Sequence, residues 1–280
     1  MRTYISLLTL LGCFTVAVLT GGPVAADEPS MLIEGSASSI GLSPGNVYGP
    51  WQFATLDLRA VAGSNDKPGI TLVTRHDNDT GSPSSGTTAI LDDYHQWTPR
   101  FFSYAQVQAS SGTLFPTRGV YVETDPSVAS GFVIAEGYGA LEAPIGLAQR
   151  YANVGPELYF PHGSATVRYI PLWTVGQATA SSIEGDLTLG DEGRTLGTLT
   201  LQSGVVPAYA ATNPAISALF QSRVSAVNLD VKHWFQPRFG YEIGIDAGRA
   251  NDRFTGKSVY NSFGATFGVF IGVGHSATMP

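Results

Sequence analysis

From Trp51 onward the chain alternates apolar and polar positions in short runs broken by Gly, Pro, Asn and Asp. A two-residue period of this kind belongs to β-strands with two unlike faces. It is plainest near the C-terminus. One face of Val259 to Val273 carries Val259, Asn261, Phe263, Ala265, Phe267, Val269, Ile271 and Val273, and the other carries Tyr260, Ser262, Gly264, Thr266, Gly268, Phe270 and Gly272. Before it, Phe239, Tyr241, Ile243, Ile245 and Ala247 oppose Gly240, Glu242, Gly244, Asp246 and Gly248. Earlier still, Val227, Leu229, Val231, His233 and Phe235 oppose Asn228, Asp230 and Lys232, with Gln236-Pro237-Arg238 as a tight turn between the two strands.

The same reading marks strands at Arg223 to Phe235, Leu196 to Gly204, Ser182 to Gly190, Ser164 to Val175, Gly146 to Val154 and Gly131 to Leu141. Upstream come Thr117 to Thr124, Arg100 to Ala109, Thr87 to Gln96, Gly69 to His76 and Trp51 to Val61, thirteen candidates in all. The clearest of them are longer than globular strands and near the ~9–11 residues that cross a bilayer at a tilt. Acids on the less apolar face would be buried in a soluble sandwich, but the lumen of a membrane barrel is wet. The pattern therefore predicts an all-β, antiparallel up-and-down transmembrane β-barrel. Bacterial barrels have even strand numbers. Merging Thr87 to Gln96 with Arg100 to Ala109 into one interrupted strand gives about twelve. Gln236-Pro237-Arg238 then turns in the periplasm and Val205 to Ser222 forms a long external loop, with room for one or two helical turns at Asn213 to Gln221. Trp51, Trp97, Trp173, Trp234, Tyr48, Tyr94 and Tyr169 fall near strand ends, where an interfacial aromatic girdle belongs.

The N-terminal stretch reads as an export signal: Arg2, an apolar run from Tyr4 to Leu19, then Val24-Ala25-Ala26 as a cleavage site. Residues 1–26 are assigned to the signal, 27–47 to an extended lead-in rich in Ser, Gly and Pro, and 48–280 to the barrel. The single cysteine, Cys13, lies in the signal, so the mature chain has no thiol chemistry. Leu10-Leu11-Gly12-Cys13 also has the look of a lipobox, which would make Cys13 a lipidated N-terminus. Charged residues make up 13% of the chain, against ~25% in soluble domains. The net charge is −7 with no basic run, which excludes nucleic acid as a partner. Composition and export together place the protein in the outer membrane, with membrane lipid around it.

Leu114-Phe115-Pro116 followed by Val120-Tyr121-Val122-Glu123, then Gly155-Pro156-Glu157-Leu158-Tyr159, Gly240-Tyr241-Glu242 and the aromatic closing strand occur in an order and spacing that resembles the YaiO family of outer membrane β-barrel proteins. The resemblance runs from about Tyr48 to Gly274. It implies a monomeric barrel, inserted by the barrel assembly machinery, whose biochemical role is not established, and it brings no catalytic residues. One departure is the ending: such barrels commonly close on an aromatic residue, whereas Val273-Gly274 is followed here by His275-Ser276-Ala277-Thr278-Met279-Pro280.

Histidines beside acids are the place to look for catalysis. His76 has Asp77 and Asp79 nearby, and His95 has Asp92 and Asp93. With a turn centred near Pro83, residue 76 faces about residue 88, and at ~3.3 Å per residue the two imidazoles stand more than ~20 Å apart. They share no site within the hairpin. An outer membrane enzyme acting on lipid or lipopolysaccharide would need His76 or His95 to find a serine such as Ser103 on a neighbouring strand. His233 sits on an apolar face, while His162 and His275 lack evident acidic partners. No phosphate-cradling glycine pattern occurs, so no cofactor and no metal is expected. The remaining constellation is Arg168, Asp230, Lys232, Glu242 and Asp246, all on the lumen side of their strands. They are read either as selectivity or ligand contacts or as a plug in which Lys232 pairs with Glu242 or Asp246. The function expected is a structural or narrow transport and binding element. The second alternative is a soluble exported β-sandwich that binds carbohydrate or protein.

Overall fold

The computed structural model describes residues 30–43, 49–62, 65–78, 84–142, 146, 148–191, 193–207, 222–236 and 238–274. The signal with Cys13, Tyr48, Asp79, Asn213 to Gln221 and His275 lie outside them. Fourteen strands follow one another: β1 (Met31–Ser43), β2 (Trp51–Ala60), β3 (Gly69–Asp77), β4 (Ser84–Thr98), β5 (Phe101–Gly112), β6 (Arg118–Ala129) and β7 (Phe132–Glu142), then β8 (Ala148–Phe160), β9 (Gly163–Thr174), β10 (Ala180–Asp191), β11 (Thr195–Val205), β12 (Ser222–Gln236), β13 (Phe239–Asp252) and β14 (Ser258–Val273). Each pairs antiparallel with its neighbours in sequence, and β1 closes the barrel on β14, with Met31 opposite Val273 and Ser43 opposite Asn261. Closure leaves no unpaired edge, and it excludes the sandwich.

The strand number corrects the expectation of about twelve. All thirteen sequence segments are strands, and β4 and β5 are separate, joined by a two-residue turn at 99–100. The fourteenth strand, β1, lies in the stretch read as lead-in. Its polarity is inverted at the extracellular end: Ile40 and Leu42 point inward and are buried, while Ala37, Ser39, Gly41 and Ser43 point outward. An alternation of small residues with apolar ones carries little of the usual strand signal.

Connections at the rim holding the start of β1 and the end of β14 are short, two or three residues at 99–100, 130–131, 161–162, 192–194 and 237–238. At the other rim they run from five residues to the sixteen of 206–221. Short turns mark the periplasmic end and long loops the outside. The longer periplasmic connection, 61–68, packs back on the chain. It pairs Asp66 with His95, and Lys67 N donates to Tyr94 O at 2.9 Å, because β4 extends below β3 and needs partners there.

Outward positions form an apolar band that includes Leu56, Leu72, Val120, Val167, Ile183, Leu201, Ile243, Phe263 and Phe267, with Phe263 65% exposed. So wide an uncovered apolar surface is foreign to a water-soluble protein and is what a lipid-facing wall presents. Among the described residues no helix is long and apolar enough to cross a membrane; the strands do the crossing. At the periplasmic edge of the band His233, Phe235, Phe239 and Tyr241 cluster, with the Phe235 and Tyr241 ring centroids 5.1 Å apart. Trp97 and Trp173 also face outward near strand ends, and Tyr169 faces outward midway along β9. Two tryptophans of the expected girdle turn inward instead: Trp51 is fully buried, and Trp234 packs on Phe270 inside the barrel at 4.8 Å. Tyr94 shares the inward parity of Asp92.

Candidate functional site in the barrel lumen

Alternation sends every second side chain of each strand into the lumen, and the lumen is layered. Near the extracellular rim two apolar clusters line opposite parts of the wall. One gathers Ile40, Leu42, Trp51, Phe53, Val73, Ala250 and Tyr260 with Phe115 from the β5–β6 loop. The other gathers Leu141, Tyr151, Ile170, Leu172 and Val205. Trp51 meets Tyr260 edge-on at 5.3 Å, and the Arg75 guanidinium lies 4.2 Å over the Trp51 ring while bonding Asp77 at 2.7 and 2.8 Å. A cation stacked on an indole and held by a carboxylate is a rigid arrangement. It narrows the outer mouth.

From this layer downward the lumen is charged. Four basic side chains occupy inward strand positions, and each is bound to an acid. Arg59 holds Asp92 at 3.0 and 3.2 Å, Arg75 holds Asp77, Arg168 holds Glu123 at 3.3 Å, and Lys232 holds Glu34 at 2.9 and 2.7 Å. The last corrects the expected pairing of Lys232 with Glu242 or Asp246 across a hairpin. Lys232 on β12 passes over β13 and β14 to reach β1, and Arg168 on β9 passes over β8 and β7 to reach β6. All five residues expected in the lumen face it. Asp125, Glu157, Glu184, Asp186, Asp230, Glu242 and Asp246 are inward acids with no basic partner within ion-pair distance among the described residues.

Glycines make room for these groups. Gly69 stands between Arg59 and Asp92 in register, and a Cβ there would come within 2.6 Å of the Asp92 carboxylate. Asp230 is paired with Gly244, and Asp246 with Gly264. In both cases a Cβ on the glycine would collide with the carboxylate. The acids therefore lie flat across the neighbouring strand. Towards the periplasmic end, Leu32, Glu34, Leu196, Thr198, Asp230, Lys232, Trp234 and Phe270 line a cavity of ≈ 240 Å³. Charged groups form part of its wall and apolar groups the rest.

Residues 39–208 match the YaiO membrane beta barrel domain, more than half of the chain. The chain belongs to the YaiO family. The matched span takes in Phe115 and the Gly155 to Tyr159 segment, while Gly240-Tyr241-Glu242 lies beyond it. No curated protein matches this YaiO chain. Among solved structures it is similar to the CymD monoaromatic hydrocarbon channel, with TM-score 0.60 and 8% identity over 89% of this chain and 90% of that one. It is also similar to the P. putida toluene transporter TodX, with TM-score 0.55 and 10% identity over 90% and 91% of the two chains. A bacterial polysaccharide outer membrane secretin follows at TM-score 0.54 and 5% identity over 88% and 99%. At such identities the likeness is one of fold. The YaiO barrel is thus an outer membrane β-barrel that shares its fold with these proteins.

The histidines of the YaiO barrel are scattered. His76 faces Ser85 near the outer rim and its Nε2 meets Asn78 at 2.9 Å, while His95 stands at the periplasmic end, so they do share no site. His95 is cross-strand from Ser103 and bonds Asp66 through Nδ1. That is the order of groups a serine hydrolase uses, but Ser103 Oγ accepts a hydrogen bond from Trp97 Nε1 at 2.8 Å and none joins it to His95. His233 bonds Thr195 at 2.8 Å on the outer face. His162 does have an acidic partner, Asp191, at 2.6 Å. Sequence spacing hides it because the pair joins a turn to the end of β10.

Proposed function

We propose that this YaiO barrel is a narrow passage for small solutes, with the cavity beside Lys232 and Glu34 as the place where a solute rests on its way through. The observation that carries this reading is the cavity itself. It lies inside a closed lumen whose wall offers a carboxylate–ammonium pair, a second carboxylate, a threonine hydroxyl and two aromatic faces. Pockets that hold small molecules combine an apolar wall with a few placed polar groups in this way. Arg168, Glu242 and Asp246 extend the polar wall around the lumen, and the apolar layer around Trp51 and Phe115 forms its outer constriction. The fold shared with two hydrocarbon channels is in keeping with transport. The barrel works as a monomer inserted by the barrel assembly machinery; its closed wall has no free edge that asks for a second copy.

Swelling of proteoliposomes in glycerol tests the reading. Wild-type protein is expected to admit glycerol faster than protein-free vesicles. The double variant Glu34→Gln with Lys232→Gln, which loses the link across the bore, is expected to admit it faster still. Entry no faster than in protein-free vesicles for both proteins refutes passage.

A further inference from the structure

We infer that the lumen selects cations over anions and that its chosen solutes are small monovalent cations, organic ammonium ions among them; this rests on the passage reading above. The first observation is how charge is shared out. Every inward basic group is already neutralised by its own carboxylate, and the acids left over have no basic counterpart. A solute moving along this wall meets negative charge that is not cancelled locally. An anion finds no free donor of positive charge.

The second observation is independent of the count. Asp246 is only 3% exposed and Asp125 only 7%, yet neither accepts a hydrogen bond or an ion pair from any described residue, and Asp125 Oδ1 is fully buried without a partner. A carboxylate stripped of water and left without a donor is costly. These two stand on inward positions of β6 and β13, so each is turned to the lumen, and a passing cation supplies what the protein withholds. Rings of acidic side chains bias pores towards cations by the same physics.

The surroundings narrow the class of cation. Among the described residues no three acidic, histidine or cysteine side chains converge closely enough to hold a metal ion, so multivalent chelation is not what the wall is built for. Aromatic faces stand beside the acids instead. Trp234 and Phe270 line the cavity with Asp230, and Tyr121 and Tyr151 stack at 5.7 Å next to Glu123. Aromatic faces next to carboxylates suit ammonium groups.

Planar-bilayer reversal potentials under a potassium chloride gradient, repeated with tetramethylammonium chloride, test the inference, and glycerol swelling of the same preparation reads passage separately. A potassium-to-chloride permeability ratio several-fold above unity is expected, with tetramethylammonium also preferred over chloride. The variant Asp125→Asn is expected to lower the ratio while leaving glycerol entry and the heat-dependent gel shift of the folded barrel intact. A wild-type ratio at or below unity with normal glycerol entry overturns the inference and leaves passage standing. Absence of both ion and glycerol movement overturns passage, and the inference falls with it.

Discussion

At the scale of single residues, the two kinds of ion pair in this barrel predict different costs. Glu123 is buried and also bonds Asn153 and Tyr121, so Arg168→Ala strands a carboxylate that has lost its cation partner among the described residues. The expected loss is about 1–3 kcal/mol, read as a lower temperature for the gel shift from folded to unfolded barrel. Arg118 and Glu142 form an exposed pair on the outer face, with 78% and 37% of their side chains accessible, and Arg118→Ala should cost less than about 1 kcal/mol in the same assay. The partner of Lys232 was beyond the sequence, because Glu34 lies three strands away in a segment whose strand character is masked by small residues. The inward direction of Trp234 was readable. It shares parity with Asp230 and Lys232, and its position at a strand end drew attention away from that.

At the scale of elements, alternation made thirteen strands legible because their outer faces are apolar and their inner faces are not. It failed for β1, where inward Ile40 and Leu42 serve the outer constriction. It did mark β4 and β5 as separate segments; the rule of even strand number, applied to thirteen strands with β1 missing, merged them. The seam between β8 and β9 predicts uneven stability. Residues 149–151 pair with 172–174, but pairing then resumes only at Val154 with Tyr169 and again at Glu157 with Thr166. Pro156 and Pro171 fall in the gaps, and neither has an N–H to give. By contrast β12 and β13 pair without interruption from Ser222 with Asp252 to Trp234 with Gly240. Amide exchange is expected to be faster at Ala152, Asn153, Arg168 and Ile170 than at Asn228 to Lys232; equal protection would show that the prolines leave the seam as firm as the rest.

At the scale of the whole molecule, the two faces of one strand carry opposite demands. Phe267→Lys puts a charge on the lipid face of β14 and should cost about 2–4 kcal/mol if the site is near the midplane, whereas Thr266→Lys, one residue away and facing the lumen, should fold with little penalty and reduce the preference for cations. Folding yields in lipid vesicles separate the two. Trp51→Ala removes the ring that holds Arg75 and Tyr260 at the outer mouth. Truncating so large a buried side chain should cost about 3–5 kcal/mol, and the surviving barrels should admit glycerol faster than wild type.

The acids that lie across Gly244 and Gly264 take up no depth in the bore, since the strand beneath them yields the space a side chain would fill. Calibre and charge are consequently governed by different positions. An Asp→Asn exchange at 230 or 246 retunes what the conduit attracts without changing how wide it is, and a Gly→Val exchange at 244 or 264 pushes the acid into the bore and does the reverse.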